Sequence, residues 1–359
     1  MKIEQKDIYA SAPRQSGVEL LRIVAALSVI LIHVGDNTLS SLKWGCSNQI
    51  ILNVIESYTH CAVNIFILIT GYFSCTSDKR SLGKPASLII QVFIVSVLWY
   101  VGAVFSGNAP LNVRSALSFC TPNNYFVILF IALYFISPYL NHLLRSLSSI
   151  GQKRLVIITI ALFSLYPVFV DVYGEILGKS WFGLSSIGAW GNQQGFNIVN
   201  FCLVYIIGAF MRLNNITERL TFHKASVLLG FSVLIVFVWA ECCHYFTHLG
   251  LISAWVYHNP FMIIMAVSTF VVFHHLHFTS RVVNSLAGAA FMCYIFHVNA
   301  LVFINLNAIV QKPSVVMLGY LCVIILTMYI IAWFLKILYD FVFARLINRL
   351  DKVVIEYYT

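Results

Sequence analysis

Long apolar runs, separated by short polar segments, dominate this chain. A run of about 20 apolar residues matches the length of a helix that crosses the hydrocarbon core of a bilayer. The pattern therefore predicts an all-α integral membrane protein, a bundle of about ten transmembrane helices. The predicted spans are 18–35, 50–75, 86–106, 124–144, 155–172, 196–213, 225–245, 258–278, 284–308 and 315–340.

Two segments depart from this simple alternation. Four polar residues punctuate the first half of the second span, so this half could be an amphipathic half-helix that faces a cavity. They are Asn53, Glu56, His60 and Asn64. The longest predicted loop, Tyr173–Gly195, is rich in glycine and tryptophan, and it could dip back into the membrane as a lid.

The distribution of lysine and arginine predicts the orientation. With the N-terminus inside, 17 of these residues fall on the cytoplasmic side and 4 on the opposite side, and Arg22 lies within a span. This bias predicts that both termini are cytoplasmic. We therefore expect a single membrane domain over residues 1–359, with cytoplasmic tails at 1–16 and 341–359. The first apolar segment lacks a signal-peptide cleavage pattern.

Composition supports the membrane assignment and excludes other classes. Of the 359 residues, 60% are hydrophobic and only 10% are charged, whereas soluble domains carry about 25% charged residues. The net charge of +9 comes from short basic clusters between apolar runs rather than from one patch, which argues against nucleic-acid binding. The nine cysteines form no CxxC pair and are typical of small buried hydrophobic residues.

Arg22 and His33 are the most informative polar residues, because both lie within the first span. They are eleven positions apart in the sequence, so they return to nearly the same helix face about 16 Å apart. A charge inside a span costs at least about 2.5–3.5 kcal/mol, which suggests a polar path along this face. Alternatively, Arg22 snorkels to the interface and pairs with Glu19, while His33 caps the opposite end.

Six blocks follow one another along nearly the whole chain, and in the first of them ten residues separate an arginine from a histidine. They are Val18–His33, Ile65–Ser74, Asn124–Asn141, Leu203–Arg212, His258–Phe261 and Cys293–His297. Together they resemble the acyltransferase-3 family of membrane enzymes, which O-acylate bacterial surface glycans. One departure is Tyr125, where the family often has tryptophan.

The resemblance implies a ten-helix bundle in the bacterial inner membrane that uses an acyl-CoA donor, usually acetyl-CoA, from the cytoplasmic side. The implied acceptor is a sugar hydroxyl of a lipid-linked or growing surface polysaccharide, such as an O-antigen. We expect the acyl-CoA, the glycan acceptor and membrane lipid as partners. No tightly bound cofactor and no metal site are expected.

Acyl transfer from a thioester to a hydroxyl needs a base, a positive group for the developing oxyanion and a grip on the donor. His33 is the first candidate for the base, with Asp36 one turn later to orient its ring. His297, in the ninth span, is a second catalytic candidate. Arg22 is predicted to contact a donor phosphate or the thioester carbonyl, with Glu19 holding it or competing for it.

The segment from Asp78 to Lys84 adds three positive charges that could clamp the polyanionic CoA: Lys79, Arg80 and Lys84. Alternatively, these residues are ordinary cytoplasmic anchors. Predicted substrate-binding residues are Glu19, Asp36, Tyr72, Asn124 and Asn141. The last three could instead form interhelical hydrogen bonds, each worth about 1 kcal/mol.

Three other classes of function compete with this interpretation. A transporter or flippase of lipid-linked sugars would explain intramembrane charge, but the sequence has neither paired broken helices nor repeated halves. A polysaccharide polymerase is expected to have a large outer loop. A scaffolding protein leaves the ordered blocks unexplained. Within the enzyme class, the sequence does not choose among O-antigen, capsule, common antigen, peptidoglycan-related sugars and secondary metabolites as acceptor.

Overall fold

The computed structural model describes residues 15–120, 124–179, 194–247 and 252–357. These residues form a bundle of helices and one short pair of strands, which confirms the predicted all-α membrane fold. The first part contains α1 (Ser16–Thr38), a 3₁₀ turn (Leu39–Ser41), α2 (Ser47–Thr59), α3 (Ala62–Ser74), β1 (Lys79–Ser81), α4 (Gly83–Phe105), α5 (Val113–Cys120), α6 (Tyr125–Ser146), α7 (Ser149–Ile160), a π-helical turn (Ala161–Leu165) and α8 (Tyr166–Leu177).

The second part of the chain contains shorter helices and one very long one. Its elements are α9 (Ile198–Leu213), α10 (Ile216–Arg219), α11 (Phe222–Thr247), α12 (Ile252–Trp255), α13 (Pro260–His274), α14 (Arg281–Ala287), α15 (Ala290–Leu301), α16 (Leu306–Val310), α17 (Ser314–Leu350) and β2 (Val354–Glu356).

Eight helical segments in the described part of the chain are long and apolar enough to cross a membrane. A ninth span is the bent pair α14 and α15, whose axes differ by 51°. The remaining predicted span corresponds to α9, which has only 16 residues. The protein is therefore a multi-pass membrane protein, and the ten predicted apolar segments are all helical.

Two predicted spans differ from the structure. The predicted span 284–308 is bent near Gly288 and its helix ends at Leu301. The last helix continues ten residues beyond the predicted end at residue 340, to Leu350. These extra residues include Arg345 and Arg349, so hydropathy alone placed the end too early.

The helix α1 lies at the centre of the bundle and packs against α2, α3, α13, α14, α15, α16 and α17. Four small buried residues let these neighbours approach its backbone closely: Ala25, Ala26, Ser28 and Gly35. Small residues at helix interfaces are typical of membrane bundles, where close packing replaces the hydrophobic driving force. The polar side chains of Arg22 and His33 on this helix remain 33% and 38% exposed.

The helices α3 and α9 are joined by a pair of glycines. A Cβ atom at Gly71 would lie 2.3 Å from the Tyr205 carbonyl oxygen, and one at Gly208 would lie 2.4 Å from the Leu68 carbonyl oxygen. Only hydrogen fits at these positions, because the neighbouring atoms belong to the backbone and cannot rotate away. This contact holds α3 in place.

The end of the chain, which lies within the predicted C-terminal tail 341–359, is folded onto the loop between α3 and α4. The strand β2 pairs antiparallel with β1, with Arg80 opposite Ile355. Ser81 donates a hydrogen bond to Asp351, and the Leu82 amide donates one to the Val353 carbonyl. Strands of three residues are too short to show a period of two in the sequence.

The glycine contact between α3 and α9 generates a stability prediction. Gly208→Ala should destabilise the protein by about 1–3 kcal/mol, because the methyl group forces two backbones apart. Thermal unfolding in detergent would show this as a lowered apparent Tm. Gly230→Ala is the matched control, since no atom lies within 4 Å of a Cβ there. A Gly208→Ala protein as stable as the control would contradict the close contact.

Candidate active site

The first cavity of interest contains Arg22 and has a volume of about 350 Å³. Its other charged lining residue is Lys84, at the start of α4. The remaining wall is apolar or aromatic, apart from Thr70 and the Tyr294 hydroxyl. The bend between α14 and α15 places the small residues Ala287 and Gly288 on this wall, which leaves room that longer side chains would fill.

Both cations in this cavity are held by neighbours. The Arg22 guanidinium donates to the Glu19 carboxylate at 2.5 Å, one turn earlier on α1. The Lys84 ammonium lies 5.2 Å and 5.5 Å from the ring centres of Phe130 and Tyr134. Cations over aromatic faces are stabilised without a counter-ion. Lys84 is therefore held in the cavity by two aromatic rings, and neither of these contacts neutralises its positive charge.

The second cavity contains His33 and Asp36 and has a volume of about 450 Å³. Five aromatic side chains and a second imidazole surround it, together with a few aliphatic residues and one amide. The other ring-bearing residues that line this cavity are His60, Tyr125, Phe196, Trp255, Tyr257 and Tyr294. A mostly aromatic wall with a few convergent polar groups is typical of small-molecule sites.

The two cavities adjoin each other, because Val29, Val63 and Tyr294 line both of them. Val29 lies between Arg22 and His33 on the same face of α1, at seven and four residues from them. The Tyr294 hydroxyl donates to Asn124 at 3.0 Å, which fixes this ring at the junction. The face of α1 that carries Arg22 and His33, about 16 Å apart along the helix, thus borders two adjoining cavities.

His33 lines a third cavity as well, and its ring lies beside the ring of His297. A further cavity of about 340 Å³, bounded mainly by residues 298–307, also includes His33 in its wall. The His33 and His297 ring centres lie 5.1 Å apart, and His33 Nδ1 is 3.6 Å from the Asp36 carboxylate. That distance is too long for a formed hydrogen bond, so Asp36 lies near the ring without fixing its orientation.

His297 is fully buried, and its proton can be located from its partner. Its Nδ1 lies 3.0 Å from the Cys293 carbonyl oxygen. A carbonyl only accepts, so Nδ1 carries the proton and Nε2 of the neutral ring is an acceptor. Within the described residues, Nε2 is buried and has no hydrogen-bond partner. A buried acceptor without a partner lowers the stability of the folded protein by about 1–3 kcal/mol. His297 therefore places an unpaired acceptor beside His33 at the expense of stability.

Sequence reasoning did not assign a role to Glu56 and His60, which the structure brings to the same site. His60 faces the cavity of His33, and its Nδ1 lies 3.2 Å from the Glu56 carboxylate. The signal was the spacing of Asn53, Glu56, His60 and Asn64, three to four residues apart. That spacing places them on one helical stripe. The half-helix predicted to face a cavity does so through His60.

Two of the predicted donor-binding residues lie on the strand β1 rather than in the Arg22 cavity. The Arg80 side chain is only 4% exposed, and it donates to the carbonyl oxygens of Ser77 and Tyr134 and to the Ser137 hydroxyl. Lys79 forms an ion pair with Glu356 of the C-terminal strand. Both cations hold the loop, the tail and α6 together, whereas Lys84 remains in the cavity.

Three predicted substrate-binding residues form bonds between elements. Asn124 caps α6 through the Val127 amide, and through Tyr294 it touches the cavity junction. The other two lie further away. Asn141 donates to the carbonyls of Ser74 and Ser77 and accepts from Tyr205, and Tyr72 contacts Thr217 and His274 through its hydroxyl. Asn141 and Tyr72 thus occupy the interhelical positions that the sequence left as the alternative.

The predicted lid over Tyr173–Gly195 is only partly within the described residues. Its first residues continue α8 to Leu177, and residues 180–193 lie outside the described part of the chain. Gln194 and Phe196, which follow, line the cavity of His33. Among the described residues, no group of three or more histidine, cysteine and acidic side chains could hold a metal ion.

Comparison with known proteins identifies the family of the chain. The family model for the acyltransferase-3 domain, described as an acyltransferase domain, matches residues 15–336. The matched region includes α1, both sides of the cavity junction and His297. No curated protein and no solved structure matches the chain significantly. Because the family model covers most of the chain, the protein is a membrane acyltransferase that belongs to the acyltransferase-3 family.

Proposed function

We propose that this protein transfers an acetyl group from cytoplasmic acetyl-CoA to a sugar hydroxyl of a bacterial surface polysaccharide or its lipid-linked precursor, such as an O-antigen, in the inner membrane. The observation that carries the proposal is the pair of adjoining cavities along α1. It has Arg22 at one end and His33 at the other. One helix therefore links a cationic cavity to one that holds titratable groups.

The cavity of Arg22 suits the donor. CoA carries several phosphate charges and a long uncharged arm that ends in the thioester. Arg22 and Lys84 provide positive charge at this end, and the rings of Phe126 and Phe130 provide an apolar wall. Planar guanidinium groups bind phosphate through two hydrogen bonds. An arm that threads past Val29 and Tyr294 would carry the thioester towards His33 while the phosphates stay outside.

The cavity of His33 suits a sugar. Sugars have apolar ring faces and hydroxyl edges, so they fit walls that combine aromatic side chains with a few polar groups. Trp255, Tyr257 and Tyr125 provide the aromatic surface, and His33 and Asp36 provide polar contacts. The acceptor class is thus supported by the wall of the cavity, independently of the donor.

The proposed reaction needs one base and no metal. His33 accepts the proton of the acceptor hydroxyl as its oxygen attacks the thioester carbonyl carbon. The new C–O bond forms, the C–S bond breaks and the CoA thiolate takes the proton back from the imidazolium. The products are the O-acetyl sugar and free CoA thiol. His297, with its ring against His33, orients that ring during the exchange.

The alternative function is transport of lipid-linked sugars or acyl groups. Transporters of this kind are built from repeats with paired broken helices, whereas the described residues contain one bent pair, α14 with α15. Transfer of radiolabelled acetyl groups from acetyl-CoA to glycan by the purified protein separates the two functions. Deletion of the gene, followed by NMR of the acetyl signals of each surface glycan, would identify the acceptor.

His33→Ala should lower acetyl transfer by about 10²–10⁴-fold, because the base for the hydroxyl proton is lost. Radiolabelled glycan formed in membrane vesicles measures this effect. His223→Ala is the matched control, since His223 is exposed at the start of α11. A His33→Ala protein that is present in normal amounts and fully active would end the proposed role of His33.

Arg22→Lys should reduce kcat/KM for acetyl-CoA by about tenfold or more, although the charge is kept. Lysine cannot form the paired contacts of a planar guanidinium. Arg154→Lys, at an exposed position on α7, controls for the chemical change itself. Steady-state kinetics over a range of acetyl-CoA concentrations gives the result. Near-normal turnover in Arg22→Lys would remove the two-bond contact from the proposal.

Lys84→Gln should raise the KM for acetyl-CoA by about tenfold, since a charge-assisted contact contributes roughly 1.5–3 kcal/mol. The KM for the acceptor should stay the same, because Lys84 lies in the cavity of Arg22 and not in that of His33. Lys153→Gln, at an exposed site on α7, serves as the control. If the acceptor KM changed instead, the assignment of the two cavities would be reversed.

A further inference from the structure

His60 lines the cavity of His33, and with Glu56, which is buried behind it, it forms a second acid–imidazole pair. Glu56 is 1% exposed and His60 is 7% exposed, so burial holds both side chains in place. Burying a carboxyl group beside an imidazole is costly unless the pair has specific partners. The pair belongs to α2 and its C-terminal end, whereas His33 and Asp36 belong to α1.

The proton on His60 can be located from its contacts. Nδ1 lies 2.9 Å from the Glu56 carbonyl oxygen and 3.2 Å from its carboxylate oxygen. Because a carbonyl only accepts, Nδ1 must donate, and Nε2 of the neutral ring carries a free lone pair. The Glu56 backbone carbonyl thus fixes the tautomer, and the Glu56 carboxylate lies beside the same ring edge.

The ring of His60 is also fixed in its plane. The indole of Trp255 stacks on it with centres 5.2 Å apart and planes 14° apart. With one edge against Glu56 and one face against Trp255, the edge that carries Nε2 is left for the cavity, whose wall includes His60, Trp255 and His33. No described residue makes a hydrogen bond to Nε2, so this acceptor is available to a ligand.

The position of Glu56 depends on Gly35, next to Asp36 in α1. A Cβ atom at Gly35 would lie 2.0 Å from the Glu56 carboxylate oxygen Oε1. The carboxyl group therefore packs against the α1 backbone between the residues of the His33 site. His60 and His33 face the same cavity from two different segments of the chain.

We propose that His60, oriented by Glu56, accepts a hydrogen bond from a second hydroxyl of the acceptor sugar while His33 takes the proton of the hydroxyl that is acylated. This inference rests on the proposed function, because it presumes a sugar in the cavity. It makes His60 a specificity-determining residue. The enzyme selects sugars that present two free hydroxyls to two acceptors, and a sugar lacking the second hydroxyl leaves Nε2 of His60 unpaired.

Two variants test this role. His60→Phe keeps an aromatic ring to stack on Trp255 but has no acceptor, whereas His60→Gln keeps a side-chain acceptor without the ring. His223→Phe is the matched control at an exposed position. The acceptors are methyl glycosides of glucose, galactose, mannose and rhamnose with radiolabelled acetyl-CoA, followed by monodeoxy analogues of the best acceptor.

Removal of one particular hydroxyl from the acceptor should lower kcat/KM by about tenfold for the unmodified enzyme, since one hydrogen bond is lost in a desolvated site. In His60→Phe the intact acceptor should already show this loss, and removal of the same hydroxyl should add little. The two changes are coupled only if the hydroxyl and His60 interact. His60→Gln should recover part of the activity, and the KM for acetyl-CoA should stay constant.

The outcomes separate this inference from the proposed function. If His60→Phe and the deoxy acceptor have independent effects, His60 does not contact the acceptor, and only the further inference fails. If His60→Phe does not fold, it will show no measurable turnover of acetyl-CoA. The coupling between the acceptor hydroxyl and residue 60 is then measured with His60→Gln instead. If the unmodified enzyme acylates none of the hexosides, the sugar acceptor itself is wrong and both proposals fail.

Discussion

Charged and imidazole side chains within a membrane have to face protein or water, because contact with lipid costs several kcal/mol. Most of the architecture can be related to this constraint on α1. Arg22 and His33 lie on one face of that helix, and seven other helices pack around it. The internal space along this face separates the two groups by about 16 Å. The proposed enzyme uses this separation to keep donor and acceptor at different depths.

Interruptions in the neighbouring helices make room for that space. The bend of 51° between α14 and α15 leaves Ala287 and Gly288 on the wall beside Arg22. The short break between α2 and α3 places His60 on the wall beside His33. Straight helices with long side chains would fill both places. Breaks inside a membrane are tolerated where the freed backbone lies in protein or borders a cavity, and these breaks border the proposed site.

The basic segment between α3 and α4 shows how one cluster can serve two purposes. Lys79 and Arg80 hold the C-terminal strand and α6, whereas Lys84, a few residues later, projects into the cavity. The number of positive charges in this segment fits a cytoplasmic anchor and a clamp for the donor equally well. Only the partners of each side chain separate the two roles.

The sequence by itself determined the all-α membrane fold and the positions of the apolar segments, because length and hydropathy are local properties. It also placed Arg22 and His33 on one face, since helical periodicity relates residues within a single helix. It could not reveal the partnership of Glu56 with Gly35, the stacking of Trp255 on His60 or the pairing of the tail with β1. These contacts join residues far apart in the chain, and only the tertiary packing of helices decides which side chains meet.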